Sequence, residues 1–133
     1  MAEYLARDLL GEGDLTFGSA GTATQPGHPP SEATAQVMSE LGIDVSAHRS
    51  SSVWEAGGAA DLIYALSAEH REALASRWPA AASRIHMLDP ANRSIADPYG
   101  RSMSSYRRAR DAIVDAISAR LSEWRPLPND AND

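Results

Sequence analysis

The sequence feature that most constrains the fold is a continuous apolar run at residues 62–66, Leu-Ile-Tyr-Ala-Leu. Turns flank the run, and five residues are too few for a helix, so it predicts a strand that is buried on both faces. Such strands belong to parallel sheets, whose neighbouring strands are joined by crossover helices. Helical patterns lie on both sides of the run, which indicates an α/β domain.

Periodic apolar residues and capping signals divide the rest of the chain into helices and strands. Helices are predicted at residues 1–10, before Gly11; from a Ser31 cap to Gly42; from a Ser67 cap to Arg77; and from residues 102–104 to about 121. Two further strands are predicted at residues 15–19 and 85–88. The order α-β-α-β-α-β-α predicts a three-layer αβα domain with a short parallel sheet. A doubly wound domain normally opens with a strand, whereas this chain opens with a helix.

Length and charge limit the class of protein. The 133 residues suffice for one domain, predicted at residues 1–121, with a polar tail at residues 122–133. A net charge of −6 repels phosphate backbones and argues against a nucleic-acid partner. No apolar stretch is long enough to cross a membrane, and the N-terminus does not resemble a secretion signal. We therefore expect a cytoplasmic protein without a membrane partner.

The absence of cysteine restricts the chemistry that the chain can perform. It removes disulfides, thiolate metal ligands and any cysteine nucleophile. The four histidines, at positions 28, 48, 70 and 86, have neither the spacing nor the acidic partners of a metal site. No metal and no other cofactor is expected.

Four short motifs follow one another along the chain. They are Met1-Ala2-Glu3, Ser19-Ala20-Gly21-Thr22, Gly42-Ile43-Asp44 with Ala47-His48-Arg49, and Asp97-Pro98-Tyr99-Gly100. In this order and spacing they resemble the low-molecular-weight phosphotyrosine phosphatase superfamily, which includes tyrosine phosphatases, arginine phosphatases and related arsenate reductases. In that superfamily a strand and a Cys-x5-Arg-Ser-Pro phosphate loop immediately precede the Met-Ala-Glu motif. The resemblance therefore implies that the first strand of the sheet and the phosphate loop are missing from residues 1–133. Without the nucleophile of that loop, these residues are expected to be inactive as they stand.

The resemblance also implies roles for four residues. Asp97 would be the general acid and base, which protonates the leaving atom and then deprotonates the attacking water. Tyr99 would bind substrate as part of the cleft wall, and Ser19 and His48 would hydrogen-bond the phosphate loop and hold its shape. Spacing alone leaves simpler readings open: Asp97 and Ser19 as turn residues, Tyr99 as a half-buried aromatic and His48 as an exposed loop residue.

The start of the last helix bears on the choice of substrate. Ser102, Tyr106 and the Arg110-Asp111 pair follow the Asp97 motif at a spacing similar to that of the protein-arginine-phosphatase branch. Helical periodicity alone places Tyr106 in the core and both Arg110 and Asp111 in solvent. Since the residue that separates the branches in the family lies in the missing loop, phosphotyrosine and phosphoarginine both remain open.

Three hypotheses follow for the function. The first is an enzyme whose true start lies upstream of Met1 and whose partner, once the loop is present, is a phosphorylated protein or a small aryl phosphate. The second is a catalytically silent interaction module or relic, in which sheet edges left open beside the missing strand favour self-association. An arsenate reductase ranks last because its redox cycle needs thiols.

Overall fold

A computed structural model describes residues 1–11, 13, 15–22, 24–56 and 59–124. Its helices are α1 (Ala2–Leu10), α2 (Glu32–Ser39), α3 (Val53–Ala56), α4 (Ala68–Arg77) and α5 (Met103–Trp124), with a 3₁₀ helix at Pro79–Arg84. Its strands are β1 (Ile63–Ala65) and β2 (Ile85–Met87). The two strands pair in parallel, with Tyr64 opposite His86. The predicted α/β class with a short parallel sheet is confirmed.

Helices cover both faces of this sheet. Ile63 and Ala65 pack with Leu74 of α4 in one apolar cluster. Tyr64, between them, packs instead against a cluster formed by α1, α2 and α5. Because successive strand residues point to opposite faces, β1 separates two apolar clusters, and the molecule has three layers.

The helix boundaries follow the capping residues. Ser31 Oγ accepts a hydrogen bond from Thr34 N, and Ser67 Oγ accepts one from His70 N, each at 3.2 Å. Helix α5 extends to Trp124, three residues into the predicted polar tail, and residues 125–133 of that tail lie outside the described residues. Within the described part of the chain, no helix combines the length and apolarity needed to cross a bilayer.

The strand predicted at residues 15–19 is wrong. These residues belong to no strand, and the parallel bridge in this region joins Gly21 to Ser52 instead. Their polar groups are satisfied in other ways: Arg7 Nη2 donates to Phe17 O at 2.9 Å, and Ser19 hydrogen-bonds to α1. A strand requires a neighbour along its length, and no described residue pairs with residues 15–19 in that way.

The prediction that residues 62–66 are buried on both faces also needs correction. The strand is shorter than the apolar run, since it spans Ile63–Ala65. Leu62 is 50% exposed, and Tyr64 is half-buried. The run is fully buried at Ala65, where α4 and β2 both cover it. Ile63 and Tyr64 pack against opposite clusters but stay partly exposed, so the run is not buried on both faces along its whole length.

The C-terminal half of α5 is fixed to the sheet by Arg120. Its guanidinium donates to Met87 O at 2.6 Å and to Leu88 O at 2.7 Å, and it stacks over the Tyr64 ring at 4.9 Å. Trp124 Nε1 donates to Tyr64 Oη at 2.8 Å. These contacts satisfy the backbone carbonyls at the end of β2, from which the loop with the predicted acid continues.

The N-terminal half of α5 is fixed to α2 by Arg110, and here the periodicity-based prediction was wrong. Arg110 is 9% exposed, whereas it was expected in solvent. Its Nη1 donates to Val37 O at 2.9 Å and to Glu40 Oε1 at 2.7 Å, and its Nε donates to Asp111 Oδ1 at 3.0 Å. The guanidinium therefore satisfies a carbonyl near the C-terminus of α2, where a positive charge is favourable.

This cluster predicts a specific dependence of stability on pH. Hydrogen bonds from Arg107 and Arg110 lower the pKa of Glu40 from 4.5 to about 2. A carboxyl whose pKa is lower in the folded state stabilises that state above its unfolded pKa, and this contribution is lost as pH falls through the folded value. We therefore expect Glu40→Gln to lower the free energy of unfolding at neutral pH, and the deficit to shrink between about pH 4.5 and pH 2.

Urea unfolding at a series of pH values measures this effect. Glu72→Gln is the matched control, because Glu72 is exposed on α4 and no described residue forms an ion pair with it. If both variants show the same deficit at every pH, the Arg107–Glu40–Arg110 cluster does not cause the acid sensitivity.

Candidate active site

The first turn of α1 brings the two predicted support residues to one carboxylate, that of Glu3. Ser19 Oγ donates to Glu3 Oε1 at 2.7 Å, and His48 Nδ1 lies 4.0 Å from the same oxygen. Arg7 Nη2 lies 2.6 Å from Glu3 Oε2. The His48 ring also packs edge-on against Tyr4, with ring centroids 5.5 Å apart. Because the Glu3 side chain is only 9% exposed, these neighbours largely replace water around its charge.

The turn that carries Ser19 is held by the segment at residues 51–54. Gly21 N donates to Ser51 O at 2.9 Å, and Val53 N donates to Gly21 O at 3.1 Å. Trp54 Nε1 donates to Thr22 O at 2.9 Å, and its ring packs against Trp78. A Cβ at Gly21 would overlap the hydroxyl of Thr24 and lie 2.6 Å from its Cβ. The turn therefore requires glycine at this position.

The next loop, at residues 25–28, is organised by Ser50. Ser50 N donates to His28 O and Gly27 N donates to Ser50 O, each at 2.8 Å. The Ser50 hydroxyl donates to Gln25 O at 2.7 Å and accepts from His28 N at 2.9 Å. Gly27 has a φ of 86°, which favours glycine. One segment, residues 50–54, thus holds both the Ser19 turn and this loop.

The loop at residues 91–101, called the acid loop after the role predicted for Asp97, presents Asp97 and Tyr99 at an exposed tip. Asp97 Oδ1 accepts a hydrogen bond from Tyr99 N at 3.0 Å, and Arg101 N donates to Pro98 O at 2.9 Å. Tyr99 is 80% exposed, so it is not the half-buried aromatic that spacing alone allowed. The hydrogen bond to Asp97 forms a turn, and the second carboxylate oxygen stays available at the tip.

The root of the acid loop is anchored more firmly than its tip. Ile95 N donates to Leu66 O at 2.8 Å, just beyond the carboxyl end of β1. At the start of the loop, the Ala91 backbone N–H, with a further contribution from Arg93, lowers the pKa of Asp89 below its ordinary value. The loop therefore begins at the carboxyl ends of both strands, where open α/β sheets bind ligands.

The structure brings together some of the predicted site residues. Ser19 and His48 meet at Glu3, whereas Asp97 and Tyr99 contact each other, and no described contact joins the two pairs. The chain has no thiol to act as a nucleophile. Among the described residues, no group of three or more His, Asp or Glu side chains could hold a metal ion.

Sequence reasoning missed two contributors to this site. Glu3 belongs to the Met1-Ala2-Glu3 motif, and its spacing of four residues from Arg7 is the sequence signal that indicates a paired carboxylate. Trp54 gave no signal, since its partner Thr22 lies 32 residues away in sequence.

Comparisons with known proteins agree with this arrangement. The family model described as "Low molecular weight phosphotyrosine protein phosphatase" matches residues 1–125. A probable low molecular weight protein-tyrosine-phosphatase EpsP from Ralstonia nicotianae is 29% identical over 96% of this chain and 88% of its own. A protein-arginine-phosphatase from Geobacillus stearothermophilus is 33% identical over 79% of this chain and 73% of its own. The structure of Vibrio vulnificus Wzb in complex with benzylphosphonate superposes with a TM-score of 0.84 at 27% identity, covering 92% of this chain and 87% of that one.

Proposed function

Because the chain belongs to the low-molecular-weight phosphotyrosine protein phosphatase family, whose members act on phosphorylated proteins, we propose that its fold is a phosphatase scaffold and that residues 1–133 alone are catalytically inactive. One observation carries the proposal. Ser19 and His48 converge at the start of α1, but no cysteine exists in the sequence to attack phosphorus. The residues that would support the phosphate loop are therefore present, but the nucleophilic attack on phosphorus that starts the reaction has no residue to perform it.

In a chain that also contains the phosphate loop, we assign Asp97 the role of general acid and base. Its position at an exposed tip, with one oxygen free of the turn, suits proton transfer to a leaving atom outside the domain. Tyr99 would contact the substrate through its exposed ring. The substrate class is a phosphorylated tyrosine or arginine of a protein, or a small aryl phosphate. The similarity to both a tyrosine phosphatase and an arginine phosphatase supports both phosphotyrosine and phosphoarginine as candidate substrates.

The experiment that tests this proposal is a phosphatase assay of two matched proteins. One is residues 1–133, and the other is the same chain preceded by a strand and a Cys-x5-Arg loop. Phosphotyrosine, phosphoarginine and an aryl phosphate are offered to each.

A silent interaction module is the second candidate, and the free edge of β1 favours it. β1 pairs with β2 along one edge, and no described residue pairs with the other edge. Leu62, immediately before β1, is half exposed beside it. Unpaired strand edges next to exposed apolar side chains recruit other chains, so we infer self-association through this edge.

A charge at the edge should reduce this association. We expect Leu62→Lys to shift the light-scattering mass of residues 1–133 toward the monomer, because an edge lysine opposes strand pairing. Leu41→Lys is the matched control, since Leu41 is 47% exposed but follows α2 and belongs to no strand. Wild-type protein that is monomeric over the whole concentration range, or an equal effect of both lysines, would contradict association through the β1 edge.

A further inference from the structure

The acid loop is attached to the rest of the domain through two consecutive residues, Ser94 and Ile95. Ile95 N donates to Leu66 O at 2.8 Å, and Ser94 Oγ accepts from Ala68 N at 3.0 Å. Leu66 and Ser67 connect β1 to α4, and Ala68 is the first residue of α4. The loop is thus held across the junction at which the chain leaves the sheet and enters a helix.

Helix α4 consequently has two serine caps from different parts of the chain. Ser67, its own N-cap, accepts from His70 N at 3.2 Å. Ser94, 26 residues later than Ala68, accepts from the N–H of the first helical residue. The first N–H groups of a helix have no partner within it, so each serine satisfies a donor that the other does not reach. The cap from Ser94 differs because it also holds the acid loop.

Asp97 lies close in sequence to this attachment. Asp97 lies two residues after Ile95, and the hydrogen bonds at the tip, from Tyr99 N and Arg101 N, are local to the loop. They give the turn its shape but do not place it relative to the sheet. On the other side, the loop ends at Ser102, which accepts from Ser105 N at 3.2 Å as α5 begins. The hydrogen bonds of Ser94 and Ile95, by contrast, join the loop to the carboxyl end of β1 and to the first turn of α4.

We propose that Ser94 is a positioning residue for Asp97: its hydroxyl oxygen docks the acid loop on the first turn of α4 and so sets where the carboxylate lies. The proposal rests on the proposed function, because positioning matters for catalysis only if Asp97 is the acid. Ser94 itself is exposed and needs no contact with substrate. Its role would be exerted through Ile95 and the Asp97 turn.

Amide hydrogen exchange of residues 1–133, followed by NMR, tests this without any turnover. We expect Ser94→Ala to accelerate exchange of the Ile95 N–H by about five-fold, the effect expected for loss of a helix-capping hydrogen bond. The Tyr99 amide resonance, which reports its hydrogen bond to Asp97, should shift as the turn loses its fixed position. Ser94→Thr should leave the Ile95 exchange rate and the Tyr99 resonance close to their wild-type values, since threonine keeps the acceptor oxygen.

The control is Ser67→Ala, which removes a cap from the same helix without touching the acid loop. It should accelerate exchange at His70 and leave Ile95 and Tyr99 unchanged. If Ser94→Ala accelerates hydrogen exchange of all amides equally, Ser94 contributes to the global stability of the domain and not to the position of the loop. If exchange of the Ile95 amide is unaffected, Ser94 does not hold the loop. Either result overturns the proposal whether or not an extended protein hydrolyses phosphate.

Discussion

Phosphatase activity is expected to be undetectable for residues 1–133 and to be gained when a strand and a Cys-x5-Arg loop are joined ahead of Met1. The thiolate would supply the nucleophile, and the backbone N–H groups of the loop would converge with the N-terminus of α1 on one phosphate. Ser19 and His48 already lie at that end of α1. Turnover of phosphotyrosine, phosphoarginine and an aryl phosphate, measured against a buffer blank, checks both parts of the expectation.

The control for this gain is the extended protein with its loop cysteine replaced by serine, which keeps the loop and removes the thiolate. Circular dichroism establishes that all three proteins are folded. An extended protein that unfolds cooperatively but hydrolyses none of the substrates contradicts the enzyme proposal. Turnover by residues 1–133 that Asp97→Asn abolishes contradicts the proposed inactivity, since it would require a nucleophile other than cysteine.

The helices could be predicted from sequence because their signals are local. Ser31 and Ser67 lie within three residues of the N–H groups that they cap, and Gly11 ends α1 with a φ of 67°. The apolar residues of α5 that recur along one face are buried, as at Ile113 and Ile117. Each of these signals can be recognised from residues within one or two turns of the same helix.

The errors have in common that the deciding partner is distant in sequence. The apolar pattern at residues 15–19 is typical of a strand, but a strand exists only if another one lies beside it. Helical periodicity places Arg110 in solvent, yet its guanidinium reaches Val37 O, 73 residues earlier, and donates a hydrogen bond there. Periodicity describes which face a residue occupies and not what a long side chain can reach from it.

The candidate site could be predicted only in part, because motifs are local in sequence and the contacts that connect them are not. Asp97, Tyr99, Ser19 and His48 are predicted as site residues from the family resemblance, and the structure brings Ser19 and His48 to Glu3. Trp54 and Ser94, which form hydrogen bonds next to those motifs or within the same loop, belong to no motif. Their hydrogen bonds to Thr22 O and from Ala68 N join segments that are 32 and 26 residues apart. Such contacts follow from the fold and become visible only with it.

The largest effect of a single substitution is expected at Asp97, in the extended protein. Asp97→Ala should lower turnover by roughly 10²–10⁴, the usual contribution of general acid catalysis. The loss should be large for a substrate whose leaving group needs a proton, such as an alkylated phenyl phosphate, and small for a nitrophenyl phosphate. Steady-state kinetics on a series of aryl phosphates gives the dependence of turnover on the pKa of the leaving group.

Asp97→Asn separates this role from turn formation. An asparagine oxygen can still accept from Tyr99 N, so the turn persists, but the amide cannot donate and recover a proton. If Asp97 is the acid, asparagine and alanine at this position should lower the turnover of substrates with poor leaving groups to the same extent. If it only initiates the turn, asparagine should retain activity and alanine should reduce turnover of all substrates alike. Asp89→Asn, in the other Asp-Pro pair of the chain, is the matched control, because Asp89 accepts from Ala91 N in the same way and should leave the leaving-group dependence unchanged.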